Sequence, residues 1–183
     1  MYPLETERLV IRPVQESDAG VAAPLVTPSV SRWTATWPPA ISVEDMLDRI
    51  KSAIEAERAD QGISLAIIRK CDGALMGWAG LHRNLLAPEV GSLGYWLGES
   101  FHGKGYMREA VGAIISHAWS QFDIEAIEAL AQPENSASIA ILQNQGMHFA
   151  GERTVFTTVR NRDELCVCYQ IQRPREAATS LTE

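Results

Sequence analysis

The chain has 183 residues, of which 46% are hydrophobic and 21% are charged, and this composition predicts one globular domain with one active site. Its formal net charge of −7 disfavours nucleic acid and anionic membranes as partners, because both require clustered Lys and Arg. The sequence lacks both the roughly 20-residue apolar run of a membrane span and the basic-then-apolar start of a signal peptide, so we expect a cytoplasmic protein.

Three cysteines form an odd set in a chain without a secretory signal, so we expect reduced thiols. Cys166 and Cys168 lie two residues apart and would share one face of a strand. No accompanying His or Cys motif supports a metal site, and core packing is the favoured interpretation of this pair over metal binding. The third cysteine is Cys71.

The N-terminal part predicts a strand, a short helix and a loop. Residues 9–13 alternate in polarity and contain branched side chains, which predicts a strand ending at Pro13. A short helix begins at Ser17. Residues 28–41 combine prolines, small polar residues and two tryptophans, a composition that predicts an irregular loop. We expect these tryptophans to line a pocket wall, with core anchoring as the alternative; they are Trp33 and Trp37.

A long helix and three strands follow. The Ser-x-x-Asp pattern that begins at Ser42, followed by apolar residues at helical spacing, predicts an amphipathic helix to about residue 60. Residues 63–69 and 74–82 are apolar runs joined by Asp72-Gly73, which predicts an antiparallel hairpin because glycine readily supplies the positive φ of the turn. Residues 89–97 predict a third strand.

The strongest helical pattern begins in a glycine loop and extends to Phe122. The later elements are predicted as a strand at 125–131, a helix at 137–145 that ends at Gly146, and strands at 147–159 and 164–172. This order predicts a single domain of mixed α/β (α+β) type over residues 1–172. The small and polar residues 173–183 predict a loose tail.

The glycine loop has the features of an anion site. His102-Gly103-Lys104-Gly105-Tyr106-Met107 lies between a strand and a helix N-terminus, where unpaired N–H groups and the helix dipole favour negative charge. Gly103 and Gly105 lack the Cβ atoms that would hold a diphosphate away from those N–H groups, and Lys104 adds a positive charge. The loop therefore predicts a phosphorylated ligand, with a simple tight turn as the alternative.

Two nucleotide-binding motifs fit this loop less well. The dinucleotide fingerprint requires a third glycine where the chain has Arg108, and no βαβ unit precedes the loop. Residues 98–105 match the Walker A pattern as far as its lysine, but Gly105 stands where a Ser or Thr hydroxyl must reach magnesium. A P-loop protein is therefore the runner-up enzyme class.

Three segments, in chain order, resemble the RimJ/RimL branch of the GCN5-related N-acetyltransferase (GNAT) superfamily. They are ETERLVIRPVQESDA, GYWLGESFHGKGYMREA and PENSASIAILQNQGMHFAGE. The loop matches the superfamily pattern Gln/Arg-x-x-Gly-x-Gly/Ala at Gly105 and departs from it at His102 and Met107. The resemblance covers residues 4 to about 172. It implies a strongly twisted, mixed, mostly antiparallel sheet of about six or seven strands flanked by about four helices, in which the strand before the loop splays from the strand after the helix.

The resemblance implies acetyl-coenzyme A as co-substrate and no metal. The pantetheine arm would pair with backbone groups of Trp96, Leu97 and Gly98, and the amides from residue 103 to residue 108 would hold the pyrophosphate. Asn135 matches an asparagine that hydrogen-bonds the arm, and a helix N-cap is a compatible role. The implied cofactor-binding set is Trp96, Leu97, Gly98, His102, Gly103, Lys104, Gly105, Tyr106, Met107, Arg108, Asn135 and Ser138.

The implied reaction is direct attack of a primary amine on the thioester in a ternary complex. The amine is either a protein N-terminal α-amine or a small molecule. A backbone N–H near Leu97 would polarise the carbonyl. Ser138 would protonate the thiolate, because the usual tyrosine position holds Leu142; a hydrogen bond from this serine to its own backbone is the alternative.

The general base remains open at this stage. The strand position where many relatives carry Glu holds Ser92, which leaves Glu89, Glu99 and His82 as candidates. We place Glu99 with the catalytic groups and His82 with the acceptor site, which would also contain Trp33 and Trp37. A non-catalytic acyl-coenzyme A-binding module is the alternative function. A homodimer is compatible with the branch.

Overall fold

The computed structural model describes residues 2–84 and 86–174. Its strands are β1 (Leu4–Glu5), β2 (Leu9–Pro13), β3 (Gly62–Arg69), β4 (Leu75–Asn84), β5 (Ala87–Leu97), β6 (Ala126–Ala131), β7 (His148–Thr157) and β8 (Arg162–Gln172). Its α-helices are α1 (Ala19–Ala22), α2 (Pro28–Ser31), α3 (Val43–Arg58), α4 (Tyr106–Gln121) and α5 (Ser136–Asn144). Short 3₁₀ turns lie at Glu16–Asp18, Ala23–Leu25 and Glu99–Phe101.

In these two ranges the strands form one sheet of eight strands in the order β1-β2-β3-β4-β5-β6-β8-β7. Only the pairing of β5 with β6 is parallel among these described strands. The predicted mixed, mostly antiparallel sheet is therefore confirmed. The predicted counts were one strand and one helix too low, because β1 has two residues and α2 is one turn that starts at Pro28, where proline is compatible with a helix.

The helix ends follow the chemistry predicted from the sequence. Ser42 Oγ accepts a hydrogen bond from Asp45 N at 3.0 Å and caps α3. Asn135 Oδ1 accepts one from Ser138 N at 3.2 Å and caps α5. Gly146, just beyond α5, has a φ of 77°, as expected for a glycine that ends a helix.

Two apolar layers cover opposite faces of the sheet. Leu65 belongs to the layer that contains Ile114 of α4, whereas the next residue, Ala66, belongs to the layer that contains Ile50 of α3. Consecutive residues of a strand point to opposite faces. Both faces are therefore buried in the central strands, and the sheet positions α4 and α3 on either side.

The sheet opens between β5 and β6. The two strands pair only at Val90 with Ala126, Gly91 with Ile127 and Ser92 with Glu128. Beyond this point β5 continues along β4 to Leu97, and β6 continues along β8 to Ala131. The strands therefore diverge into a V-shaped gap that leads toward the glycine loop before α4, as the resemblance implied.

The end of the described chain is held against α4. The Arg173 guanidinium donates hydrogen bonds to the carbonyl oxygens of Trp119, Phe122 and Ile124 at 2.8, 2.6 and 2.8 Å. Of the tail predicted at 173–183, only residues 173 and 174 are described, and residues 175–183 lie outside the described residues. Among the helices that are described, none is both long and apolar enough to cross a membrane.

Candidate active site

A cleft of about 1030 Å³ passes through the gap between β5 and β6. It extends from the glycine loop, past α5, to the loop that follows α2. Most of the residues predicted from the sequence line it together: Trp33, Trp37, His82, Trp96, Leu97, His102, Gly103, Lys104, Gly105, Tyr106, Met107, Arg108, Asn135 and Ser138. Gly98 and Glu99 are not among its lining residues.

The glycine loop has the backbone geometry that its sequence predicts. Gly103 has a φ of 72° and Gly105, the N-cap of α4, a φ of 77°. Side chains with a Cβ rarely adopt this left-handed region, so both positions favour glycine. His102 Nε2 donates to Leu97 O at 2.8 Å, which ties the loop to the end of β5. The free amides at the start of α4 are therefore presented to the cleft.

The N-terminal motif supports this loop from outside the cleft. Arg8 Nε donates to Glu109 Oε2 at 2.7 Å, its backbone N–H donates to Glu109 Oε1 at 2.8 Å, and its Nη1 donates to Lys104 O at 3.0 Å. Burial alone would raise the pKa of Glu109, but the hydrogen bonds from Thr6 and Arg8 lower it, so this carboxylate stays ionised. Sequence analysis recognised the ETERL segment only as part of a resemblance and missed this contact.

The backbone of β5 presents alternate residues to the gap. Gly98 N donates to Met76 O at 2.9 Å and Gly98 O accepts from Phe101 N at 3.0 Å, so both groups are engaged. Trp96 lies two residues before Gly98 and pairs with Trp78. Since every second residue of an antiparallel strand directs its N–H and C=O groups to the partner strand, the backbone groups of Trp96 face β4 as well. The predicted pairing role therefore does not fit Gly98 or Trp96. The amides of Leu97 and of Tyr95, a residue that the sequence did not single out, face the gap.

Tyr95 also contacts the predicted acid. Its hydroxyl lies 2.9 Å from Ser138 Oγ. Burial raises the pKa of Tyr95 to about 12, against a smaller opposing effect of the hydrogen bond with Ser138. The phenol therefore stays protonated at neutral pH and can donate to the serine. The signal that could have identified Tyr95 is its spacing of two residues from Leu97 on the same strand.

His82 is the base candidate that lines the cleft. Its ring lies against two glycines: a Cβ on Gly80 would be 2.7 Å from Nε2, and a Cβ on Gly62 would be 2.5 Å from Nδ1. These glycines leave the space that the imidazole occupies. The strands packed around the imidazole partly desolvate it, which lowers the pKa of His82 from its ordinary value, although the residue keeps solvent access through the cleft.

Glu99 lies outside the cleft, contrary to its predicted place among the catalytic groups. It is on the 3₁₀ turn after β5, and its carboxylate accepts a hydrogen bond from Thr27 Oγ1. Glu89 is exposed at the other end of β5. The local reason is the turn itself, since it begins at residue 99 and directs this side chain toward the segment between α1 and α2.

The part of the cleft formed by the loop after α2 is aromatic. The Trp37 ring makes edge contacts with Trp78 and Trp96, with centroids 5.4 and 5.0 Å apart. Trp37 lines the cleft and also packs against a core cluster, and its predicted role in binding the acceptor stays a prediction. Arg32 lies over the Trp33 ring, 4.3 Å from its centroid.

The loop that carries these tryptophans is held by the turn between β7 and β8. Arg160 donates to Ser31 O and Thr34 O, both at 3.0 Å, and is paired with Glu164 at 2.7 Å. Thr158 Oγ1 donates to Ala35 O at 3.2 Å. These contacts anchor the loop to the turn through its backbone carbonyl groups.

Comparison with known families decides the identity of this arrangement. The acetyltransferase (GNAT) domain family matches residues 8–148. The chain belongs to this family. GNAT membership makes it an acetyl-coenzyme A-dependent acetyltransferase, and the P-loop interpretation is wrong, because the loop follows β5 of a mostly antiparallel sheet.

Individual relatives agree with this assignment. The GNAT chain is 31% identical over 147 residues to the uncharacterized N-acetyltransferase p20 of Bacillus licheniformis, covering 79% of this chain and 81% of that protein. It superposes with a TM-score of 0.81 on RimL, a ribosomal L7/L12 α-N-protein acetyltransferase in complex with coenzyme A, at 19% identity over 93% of this chain and 97% of that one.

A second solved structure has the same degree of likeness. The microcin C7 self-immunity acetyltransferase MccE, in complex with acetyl-coenzyme A and AMP, has a TM-score of 0.81 at 17% identity, covering 92% of this chain and 94% of that one. At these identities the two structures establish the GNAT fold and no more.

Proposed function

We propose that this GNAT enzyme transfers the acetyl group of acetyl-coenzyme A to a primary amine by direct attack within a ternary complex. The observation that carries the proposal is the gap between β5 and β6, which joins the glycine loop at one end to the tryptophan loop at the other. One cleft thus offers room for a thioester and for an amine at the same time.

The loop and β5 together would bind the cofactor. The residues from Gly103 to Arg108 line the cleft; their amides would face the pyrophosphate, and Lys104 and Arg108 would add positive charge. The gap-facing amides of Tyr95 and Leu97 would pair with the pantetheine arm in the manner of an added strand. The arm would then lie along β5, with the thioester deeper in the gap.

The residues around the thioester supply the acid and the carbonyl contact. One of the two gap-facing amides polarises the carbonyl oxygen as negative charge develops on it. The Ser138 hydroxyl gives its proton to the departing sulfur when the carbon–sulfur bond breaks. When Tyr95 is the donor in its 2.9 Å contact with Ser138 Oγ, the serine hydrogen is free to point into the cleft.

His82 would complete the proton transfers. Its neutral ring accepts the proton that the amine loses as the carbon–nitrogen bond forms. The imidazole replaces the carboxylate expected at Glu99, which the cleft does not include. The products are an acetylated amine and coenzyme A with a protonated thiol. The proton taken up by His82 then passes through solvent in the open cleft to the Ser138 alkoxide, so both side chains return to their starting forms.

The test is turnover with a panel of primary amines. Purified protein is mixed with acetyl-coenzyme A and each amine, thiol release is followed by absorbance with a disulfide reagent, and the acetylated amine is identified by mass spectrometry. We expect amine-dependent thiol release. Tight binding of acetyl-coenzyme A without turnover on any amine would instead support a non-catalytic binding module, for which Leu142 in the usual tyrosine position is the motivating observation.

A further inference from the structure

The acceptor end of the cleft is built from aromatic side chains. Trp33 and Trp37 come from the loop after α2, and Trp78 and Trp96 come from the paired strands β4 and β5. Trp78 and Trp96 are each more than nine-tenths buried. Flat, rigid aromatic walls favour an aromatic or apolar body in the space between them.

Carboxylates are missing from this cleft. The whole chain has 23 acidic residues, yet among the described residues that line the cleft there is neither Asp nor Glu. Two carboxylates on the strands beyond the gap are already paired, Glu128 with Arg153 at 2.8 Å and Glu164 with Arg160 at 2.7 Å. A second ammonium on the acceptor would therefore find no counter-ion in the cleft.

The tryptophan faces at the mouth are taken by cations of the protein itself. Arg32 lies 4.3 Å from the centroid of Trp33, and Arg49 lies 4.9 Å from the centroid of Trp37. Arg49 is fixed by donating to Thr36 O at 2.7 Å. A further cation could not use the covered face of either ring and would be repelled by the guanidinium group already there.

We infer that the acceptor is a monoamine with an aromatic or apolar body, and that polyamines and other polycationic amines are rejected. This inference rests on the proposed function, since it names the substrate class of the same site. The aromatic walls bind the body of the amine, and the absence of carboxylates together with the two arginines excludes additional positive charge.

The same surroundings favour the reactive form of such an amine. An apolar environment without a carboxylate partner lowers the pKa of a bound ammonium, because desolvation penalises the charged form. A larger share of the amine is then neutral and nucleophilic. A weak base such as the neutral imidazole of His82 then suffices to take the remaining proton.

The test compares phenethylamine with spermidine as acceptors at saturating acetyl-coenzyme A. We expect kcat/KM to be at least about 10-fold higher for phenethylamine, because like-charge contact and unpaired burial penalise the polyamine. A kcat/KM for spermidine equal to or above that for phenethylamine overturns the inference and leaves the proposed acetyl transfer intact. Failure to acetylate either amine also overturns it, and failure with every amine of the panel overturns the proposed function as well.

Two substitutions assign the preference to the named residues. Trp33→Leu should lower kcat/KM for phenethylamine roughly 10-fold, mainly through KM. The matched control is Trp119→Leu, since Trp119 also has an arginine over its ring, Arg173 at 5.8 Å, but lies on α4 outside the cleft. Arg32→Glu should raise kcat/KM for spermidine severalfold. An unchanged phenethylamine-to-spermidine ratio in both cleft variants contradicts the inference.

Discussion

At the scale of single residues, the pair of Tyr95 and Ser138 explains how a serine could act as the acid. The two residues are 43 positions apart and meet only because β5 passes the first turn of α5. A serine hydroxyl alone can turn toward its own helix backbone. The partly buried phenol lies within hydrogen-bonding distance of the serine oxygen, so each hydroxyl restricts the orientation of the other.

Removal of the phenol hydroxyl tests this pair. Tyr95→Phe keeps the ring and should lower kcat roughly 10-fold while leaving KM for acetyl-coenzyme A nearly unchanged. Steady-state kinetics with Tyr95→Phe, Ser138→Ala and the double variant check it. If Tyr95 acts through Ser138, the double variant is no slower than Ser138→Ala; additive losses would mean that the two residues act separately.

His82 gives a prediction about pH. Since burial lowers its pKa below 6.5, the neutral ring that accepts a proton persists to lower pH than an ordinary histidine would allow. The rate should therefore fall as the pH drops through that lowered pKa, and the midpoint of the decline should lie below pH 6.5. His82→Gln should remove this acidic limb from the profile of kcat/KM against pH. Persistence of the same limb in the variant would assign it to another group.

At the scale of elements, the contact between Arg8 and Glu109 joins the start of β2 to the first turn of α4. The guanidinium also holds the Lys104 carbonyl, so the loop is fixed by a residue that does not itself line the cleft. The Arg8 side chain is 41% exposed, and its pairing contributes little to global stability. Its effect should appear in the position of the loop.

This contact predicts a loss of affinity without unfolding. Arg8→Gln should weaken acetyl-coenzyme A binding by roughly threefold to tenfold, because the loop amides lose their support. Calorimetric titration and thermal unfolding measure the two effects separately. Lys70→Gln is the control, because Lys70 forms an ion pair with Glu5 at a distance of 3.0 Å and neither residue lines the cleft. Equal losses of affinity in both variants would contradict a special role of Arg8.

The N-cap glycine of α4 gives a second prediction at this scale. A Cβ added to Gly105 would lie 3.6 Å from its nearest neighbour, Arg8 Nη2, which is an ordinary contact. The backbone φ of 77° at this position would, however, strain any residue other than glycine by about 1–2 kcal/mol. Gly105→Val should therefore fold and fail to bind acetyl-coenzyme A, because the side chain also occupies the approach to the amides. Gly20→Val, at a position with open space, controls for the added side chain. Normal binding by the Gly105 variant would refute the site.

Elements with a local signal were predicted well, and those that depend on pairing were not. The capping pattern at Ser42 and the apolar repeat of α4 give the helices almost to the residue. The two-residue β1 has too few positions to show a period. The gap between β5 and β6 was predicted only from the family resemblance, because the divergence of two strands depends on residues far apart in the chain.

At the scale of the whole molecule, the distribution of charge over the structure says more about which ligands can bind than the net charge does. A charge of −7 disfavours polyanionic partners, yet the cleft contains Lys104 and Arg108 and, in the described lining, no acidic residue. The protein can therefore bind an anionic cofactor despite its overall sign. This separation of charge follows from the fold and cannot be derived from composition.

The candidate site was predictable where family motifs constrain it. The glycine loop, Asn135 and Ser138 were found from the sequence, whereas Tyr95, Arg8 and the engaged backbone of Gly98 required the register of the sheet. The choice among three candidate bases likewise depended on which side chain the sheet turns into the cleft.

The central claim is that the amides at the start of α4 hold the pyrophosphate of acetyl-coenzyme A. Calorimetric titration of the protein with acetyl-coenzyme A and, separately, with S-acetylpantetheine, which lacks the pyrophosphate, tests it most directly. The account predicts that acetyl-coenzyme A binds at one site per chain and that S-acetylpantetheine binds at least about 100-fold more weakly. Equal affinity for the two compounds, or no binding of acetyl-coenzyme A, would contradict it.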